Sequence, residues 1–101
     1  MDAAPTFDHA AIERACNRFG VARLRVFGSA VTDRFDPDRS DVDFLVDFLV
    51  DREDPFGDYF GLREELSVIV GREVDLVVAS AVRNPYFKAS ALASARDLYA
   101  A

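Results

Sequence analysis

Residues 27–48 read FGSAVTDRFDPDRSDVDFLVDF, and the other elements of the chain are arranged around this stretch. Gly28 and Ser29 follow an apolar strand, and Asp41 and Asp43 stand at the start of the next strand. Side chains two residues apart in a strand point to one face and lie about 6.5–7 Å apart along the chain. Asp41 and Asp43 are therefore predicted to share a face, where their carboxylates can converge on one or two metal ions.

The other face of this second strand is apolar. Val42, Phe44, Val46 and Phe48 alternate with the acidic positions, which is the period of a half-buried strand. Asp47 lies on the acidic face but further along, and we interpret it as structural or solvent-facing. One strand is thus predicted to be a core element and a carboxylate platform at once.

Helical and strand patterns alternate along the chain. The predicted elements are a helix ending near residue 19, strands at 21–27, 41–50 and 73–79, a short helical turn at 30–35, and helices at 58–70 and 84–99. Gly20 and Gly71 suit the position after a helix end, and Asn84 with Pro85 suits a helix start. This alternation predicts an α/β (α+β) domain, with a small mixed three-stranded sheet and about four helices. The pattern leaves the strand order open.

The composition excludes several classes of protein. A chain of 101 residues, half of them apolar and nine of them Phe, predicts one packed domain spanning residues 1–101. The net charge of −6 fits direct nucleic-acid binding poorly. Cys16 is the only cysteine, which excludes an internal disulfide. The N-terminus lacks a signal-peptide pattern and no apolar run has membrane length, so we expect a cytoplasmic protein with no membrane partner.

A third aspartate, Asp75, lies in the strand at 73–79. If this strand lies beside the second one, Asp41, Asp43 and Asp75 can line one end of the sheet. Carboxylates with little Lys or His nearby suit Mg²⁺ or Mn²⁺, which prefer oxygen ligands. Two such ions, about 3.5–4 Å apart, can clamp the attacking and leaving oxygens of a displacement at phosphorus. The three aspartates therefore indicate phosphoryl or nucleotidyl transfer.

The Gly-Ser pair adds an anion-binding element to this pattern. Gly28 lets a phosphate approach the backbone closely, and Ser29 contributes a hydroxyl. Taken singly, a Gly-Ser pair is more often a turn, an Asp-x-Asp often a solvated sheet edge, and Asp75 could be an exposed strand position. Aspartate is depleted in strands, so three of them within Val-, Leu- and Phe-rich strands favour a metal–phosphate site.

These residues resemble a known family. Gly28-Ser29, a spacer of eleven residues and Asp41-Val42-Asp43 resemble the signature of the DNA polymerase β-like nucleotidyltransferase superfamily. The resemblance also includes the REVDLVV strand and the NPYF helix, and it is greatest for the minimal nucleotidyltransferases, the MNT or MntA-type antitoxins. It implies the polymerase β-like palm fold over nearly the whole chain.

The resemblance implies a role for each motif residue. Gly28 and Ser29 would hold the triphosphate of ATP, and Asp41 and Asp43 would bind two Mg²⁺ ions, with Mn²⁺ as an alternative. Asp75 would complete the metal site and help to deprotonate the attacking hydroxyl. Family members typically transfer AMP to a tyrosine of a cognate HEPN-domain toxin, an RNase, and thereby silence it. A hetero-oligomer with such a toxin is therefore expected.

Two departures from the family pattern keep alternatives open. The spacer is one residue longer than is usual in this group, and AVTDRF replaces a run that commonly carries Arg. Weaker triphosphate binding would leave a catalytically weak or inactive antitoxin that neutralises the toxin by binding alone. A small-molecule nucleotidyltransferase, such as those that modify aminoglycosides, is a third alternative. The chain length counts against it, because those relatives normally carry an extra helical domain.

Overall fold

Four strands and three helices make up the part of the chain that the structure describes. A computed structural model describes residues 7–27 and 42–101. The helices are α1 (His9–Arg18), α2 (Pro55–Val70) and α3 (Pro85–Ser94). The strands are β1 (Val21–Phe27), β2 (Val42–Phe48), β3 (Val74–Val78) and β4 (Arg96–Ala100), and a 3₁₀ turn spans Ala79–Ala81. The predicted mixed α+β class is confirmed, and the predicted turn at 30–35 lies outside the described residues.

The strands form one mixed sheet with the order β3-β2-β1-β4. β1 is antiparallel to both of its neighbours, whereas β2 and β3 are parallel. A parallel pair needs a long crossover connection, which α2 provides. α1 and α2 pack on one face of the sheet, and the core between them contains Ile12, Cys16, Leu24, Val26, Val42, Phe44, Val46, Leu62 and Leu66.

Local side-chain contacts set the helix starts. Asp8 accepts a hydrogen bond from the Ala11 N–H at 3.1 Å, and Asn84 accepts from the two N–H groups that follow Pro85. The predicted helix start at Asn84 is therefore confirmed, and Asp8 caps α1 in the same way. α2 begins at Pro55, three residues earlier than predicted, because Asp54 caps it and proline suits the first helical position.

The last predicted helix is shorter in the structure, and a fourth strand follows it. α3 ends at Ser94, the backbone becomes extended at Ala95, and β4 pairs with the edge of β1. The helical spacing of apolar residues had extended this helix to Tyr99. Pairing with an otherwise open strand edge outweighs that local spacing, because β1 hydrogen-bonding groups gain partners.

No helix within the described ranges is both long and apolar enough to cross a membrane.

Candidate functional site

Asp43 and Asp75 are direct neighbours across the parallel β2–β3 pair. Their Cα atoms are register partners, and adjacent strands lie about 4.7–4.9 Å apart. Both side chains point away from the core, because the flanking residues of each strand, including Val42 and Leu76, are buried. Asp43 is half-buried and Asp75 is exposed. The expectation that the third strand lies beside the second is therefore confirmed.

The other three predicted site residues, Gly28, Ser29 and Asp41, lie outside the described residues. Their neighbours in sequence can nevertheless be placed. Phe27, which precedes Gly28, is the β1 register partner of Asp43. The C-terminal end of β1 and the N-terminal end of β2 thus lie side by side, at the same end of the sheet as Asp43 and Asp75.

A cleft of about 420 Å³ opens beside the two carboxylates. Besides Asp43 and Asp75, it is lined by aromatic and cationic side chains from three elements: Phe27, Tyr59, Arg63 and Phe87. The rings of Phe27 and Phe87 pack edge to face, with centroids 6.0 Å apart. Tyr59, Arg63 and Phe87 were not among the site residues predicted from the sequence. No local pattern could have found them, because their position depends on how α2 and α3 cross the sheet.

Tyr59 anchors α2 to the outer edge of β3. Its phenol donates a hydrogen bond to the backbone carbonyl of Leu76 at 2.6 Å. Leu76 follows Asp75 directly, so this bond fixes α2 beside the carboxylate pair. It also occupies an edge carbonyl that would otherwise be open to pairing with another strand.

Further along the same face, the charges form ion pairs. Arg25 contacts Asp47 at 3.3 Å, and Arg23 makes a two-pronged contact with Asp97 at 2.7 and 3.1 Å. The hydrogen bonds from Arg23, aided by its charge, lower the pKa of Asp97. Asp47 is therefore part of an ion pair, in keeping with its interpretation as structural, and the two arginines of β1 pair with Asp97 and Asp47.

The residues at the cleft fit a hard divalent cation. Two carboxylates side by side on neighbouring strands offer the oxygen donors that Mg²⁺ prefers. Within residues 7–27 and 42–101, no group of three His, Cys, Asp or Glu residues could hold a metal ion. The predicted third carboxylate is Asp41, which precedes β2 and lies outside those ranges.

Comparison with known proteins identifies the family. A family model described as "Nucleotidyltransferase domain" matches residues 10–98. The chain belongs to the nucleotidyltransferase domain family. The sequence prediction of a nucleotidyltransferase is thereby confirmed.

Individual relatives show to which type of nucleotidyltransferase the chain belongs. A candidate protein adenylyltransferase of Methanocaldococcus jannaschii is 36% identical over 74 residues, which are 72% of this chain and 71% of the relative. The solved structure of a candidate minimal nucleotidyltransferase matches with a TM-score of 0.71 and 31% identity, over 87% of this chain and 86% of the other. The protein is therefore a nucleotidyltransferase of the minimal, MNT type.

Two toxin–antitoxin structures share the fold at low identity. One, solved with AMP-PNP, contains a chain with a TM-score of 0.71 and 15% identity, covering 94% of this chain and 75% of that one. The other is a tri-AMPylated Shewanella oneidensis HEPN toxin in complex with an MNT antitoxin, with a TM-score of 0.57 and 14% identity, covering 92% and 73%. These two matches establish similarity of fold alone.

Proposed function

We propose that this minimal nucleotidyltransferase is a Mg²⁺-dependent protein adenylyltransferase. In this proposal it transfers AMP from ATP to a tyrosine hydroxyl of a cognate HEPN-domain toxin and so acts as the antitoxin of a pair. The observation that carries the proposal is the register pairing of Asp43 with Asp75 on one wall of an open cleft. The names of the relatives, a protein adenylyltransferase and toxin–antitoxin complexes, support the acceptor class.

The proposal gives each site residue a task. Asp41, Asp43 and Asp75 hold two Mg²⁺ ions, which neutralise charge on the phosphates when bound. Gly28 and Ser29 hold the triphosphate of ATP. Gly28 and Ser29 follow β1 in the sequence, Asp41 directly precedes β2, and Asp43 and Asp75 are register partners in β2 and β3.

The transfer itself is a single displacement at phosphorus. The tyrosine oxygen forms a bond to the α-phosphorus, the bond between that phosphorus and the bridging oxygen breaks, and pyrophosphate leaves. The phenolic proton passes to the carboxylate of Asp75. Positioning and charge neutralisation, rather than covalent chemistry by the protein, accelerate such reactions.

The openness of the cleft supports a macromolecular acceptor. The described residues that line the cleft leave it open to solvent. A partner that carries its own tyrosine would close it and bring the acceptor at the same time. A small-molecule acceptor would need further enclosing elements, because such ligands are usually mostly buried in their sites.

The proposal is tested by incubating the protein with the purified toxin, radiolabelled ATP and Mg²⁺. We expect labelled toxin, and we expect the double variant Asp41→Asn with Asp43→Asn to abolish labelling. Asp51→Asn is the matched control, because Asp51 is exposed, adopts a left-handed backbone that Asn also tolerates, and does not line the cleft. Persistent labelling by the double variant would refute the assignment.

Neutralisation by binding alone is the second proposal, and the longer spacer with its AVTDRF run favours it. The two proposals differ in the behaviour of the same double variant in cells that express the toxin. An adenylyltransferase loses protection when its carboxylates are removed. A binding antitoxin keeps protecting the cells and leaves the mass of the toxin unchanged.

A further inference from the structure

Arg63 is the one cationic side chain among the described residues that line the cleft with Asp43 and Asp75. It is exposed on α2 and makes no hydrogen bond or ion pair with another described residue. The other cleft charges are both carboxylates. Among these described residues, Arg63 is therefore the one that can attract an acceptor carrying negative charge.

The strand order places Arg63 at a defined side of the carboxylates. Across the sheet the order is β3, β2, β1, so Asp75 lies outside Asp43, and Phe27 lies on the inner side. α2 is fastened to the outer edge of β3 by the hydrogen bond from Tyr59 to the Leu76 carbonyl. Arg63 follows Tyr59 by one helical turn and therefore lies on the same side of the helix.

The geometry of displacement decides which substrate lies on that side. In an in-line displacement, the entering oxygen and the leaving pyrophosphate are on opposite sides of the phosphorus. The triphosphate is assigned to Gly28 and Ser29, which directly follow β1 in the sequence, and β1 lies on the inner side of β2. The acceptor then enters from the β3 side, past Arg63 and towards Asp75.

We propose that Arg63 binds an anionic group that the acceptor carries beside its reacting hydroxyl, an inference that rests on the proposed adenylyltransferase activity. The guanidinium fork matches a carboxylate or a phosphate with two parallel hydrogen bonds. Two acceptors present such an anion. One is a tyrosine with an acidic side chain next to it, and the other is a tyrosine that already carries AMP, whose phosphodiester lies close to the next reacting ribose hydroxyl.

The test compares the full-length wild type with Arg63→Gln, using the purified toxin, ATP and Mg²⁺. We expect the KM for one acceptor, either the unmodified toxin or the toxin that already carries AMP, to rise about tenfold or more, because a hydrogen-bonded contact to a charged group is lost. The kcat and the KM for ATP should stay within about twofold of the wild-type values. Arg63→Lys, which keeps the charge, should recover part of the affinity.

Arg14→Gln is the matched control for this experiment. Arg14 is also an exposed helical arginine, but it lies on α1 and does not line the cleft. It should leave both KM values unchanged. Circular dichroism of the variants checks that the fold is retained.

Intact-mass measurements over time distinguish the two sources of the anion. If Arg63→Gln slows the first AMP addition, the anion is an acidic side chain of the toxin. If it slows only later additions, the anion is the phosphodiester of the attached AMP. Unchanged KM values for both the unmodified toxin and the toxin that already carries AMP, or an effect confined to the KM for ATP, would overturn the inference. Failure of the proposed function looks different, because the wild type itself would then transfer no AMP.

Discussion

The two faces of the sheet differ sharply in chemistry. The face towards α1 and α2 is apolar in the three strands β1, β2 and β3, and most of its side chains are buried. The opposite face carries charge in all four strands: Arg23, Arg25, Asp43, Asp47, Asp75 and Asp97. β2 contributes alternate residues to both faces. Neighbouring residues of one strand thus serve the stability of the fold and the proposed activity. Single substitutions should therefore change either the free energy of unfolding or the rate of AMP transfer, but not both.

The largest expected effect on stability comes from the buried face. Phe44 is fully buried and packs edge to face on Phe7, with centroids 6.1 Å apart. Phe44→Ala should lower the free energy of unfolding by about 3–5 kcal/mol, because it removes apolar burial and leaves a cavity. Urea unfolding measures this. Phe56→Ala is the control: Phe56 is 78% exposed, and its loss should cost less than about 0.5 kcal/mol. If both substitutions lowered the free energy of unfolding equally, the special importance of the buried face for stability would be contradicted.

A substitution on the charged face should reduce activity and leave the stability of the fold almost unchanged. Asp75→Asn should reduce AMP transfer by about 10²-fold or more, in line with the loss of one preorganised charged group at a reacting centre. The free energy of unfolding should change by less than about 0.5 kcal/mol, because Asp75 is exposed. Single-turnover rates and urea unfolding of the same preparation provide both values. A large loss of stability together with activity would show that the carboxylate is structural.

Acidic pH should cost more stability at the ion pair between Arg52 and Asp58, on α2, than at the ion pairs on the charged face of the sheet. Arg52 donates hydrogen bonds to Asp58 at 2.7 and 3.0 Å, and they hold the pKa of Asp58 below its ordinary value of 3.8. A carboxyl with a lowered pKa in the folded state stabilises the fold above its unfolded-state pKa. That stabilisation is lost as the pH falls through the lowered value. The urea concentration at the midpoint of unfolding should therefore decrease when the pH is lowered below about 4.

Two variants show which ion pair causes this acid sensitivity. Asp58 is 8% exposed, whereas the Asp97 side chain, which pairs with Arg23, is 57% exposed and more strongly screened by solvent. Asp58→Asn should remove more of the pH dependence than Asp97→Asn does. The reverse order would mean that the exposed pair is the more important one.

The smallest effect is expected at the edge where the two faces meet. Tyr59→Phe removes the hydrogen bond to the Leu76 carbonyl and should lower the free energy of unfolding by about 0.5–1.5 kcal/mol. Because α2 would be held less firmly beside the cleft, the KM for the toxin should rise slightly. Tyr86→Phe is the control, since Tyr86 is 86% exposed. A Tyr59→Phe protein with wild-type stability would show that the bond does not anchor the helix.

Much of the fold could be predicted from local signals. The alternation in β2, the cap at Asn84 and the helix end at Gly71 are short-range patterns, and the structure has each of them as expected. The fourth strand could not be predicted in this way. The residues of β4 have helical apolar spacing, and only the open edge of β1 makes them a strand.

The candidate site shows the same division. The residue types of Asp43 and Asp75 and their place in strands indicated the chemistry, but their proximity depends on the parallel pairing of β2 with β3. The positions of Arg63 and Phe87 at the cleft depend on where α2 and α3 cross the sheet.

The sequence by itself determined the elements, their buried faces, the acidic residues and the family, because these depend on the order and spacing of side chains along the chain. Only the tertiary structure decided which strands are neighbours and which side chains face each other across the cleft. The reason is physical: strand pairing and helix crossing join residues far apart in the sequence, and local spacing carries no information about the partner.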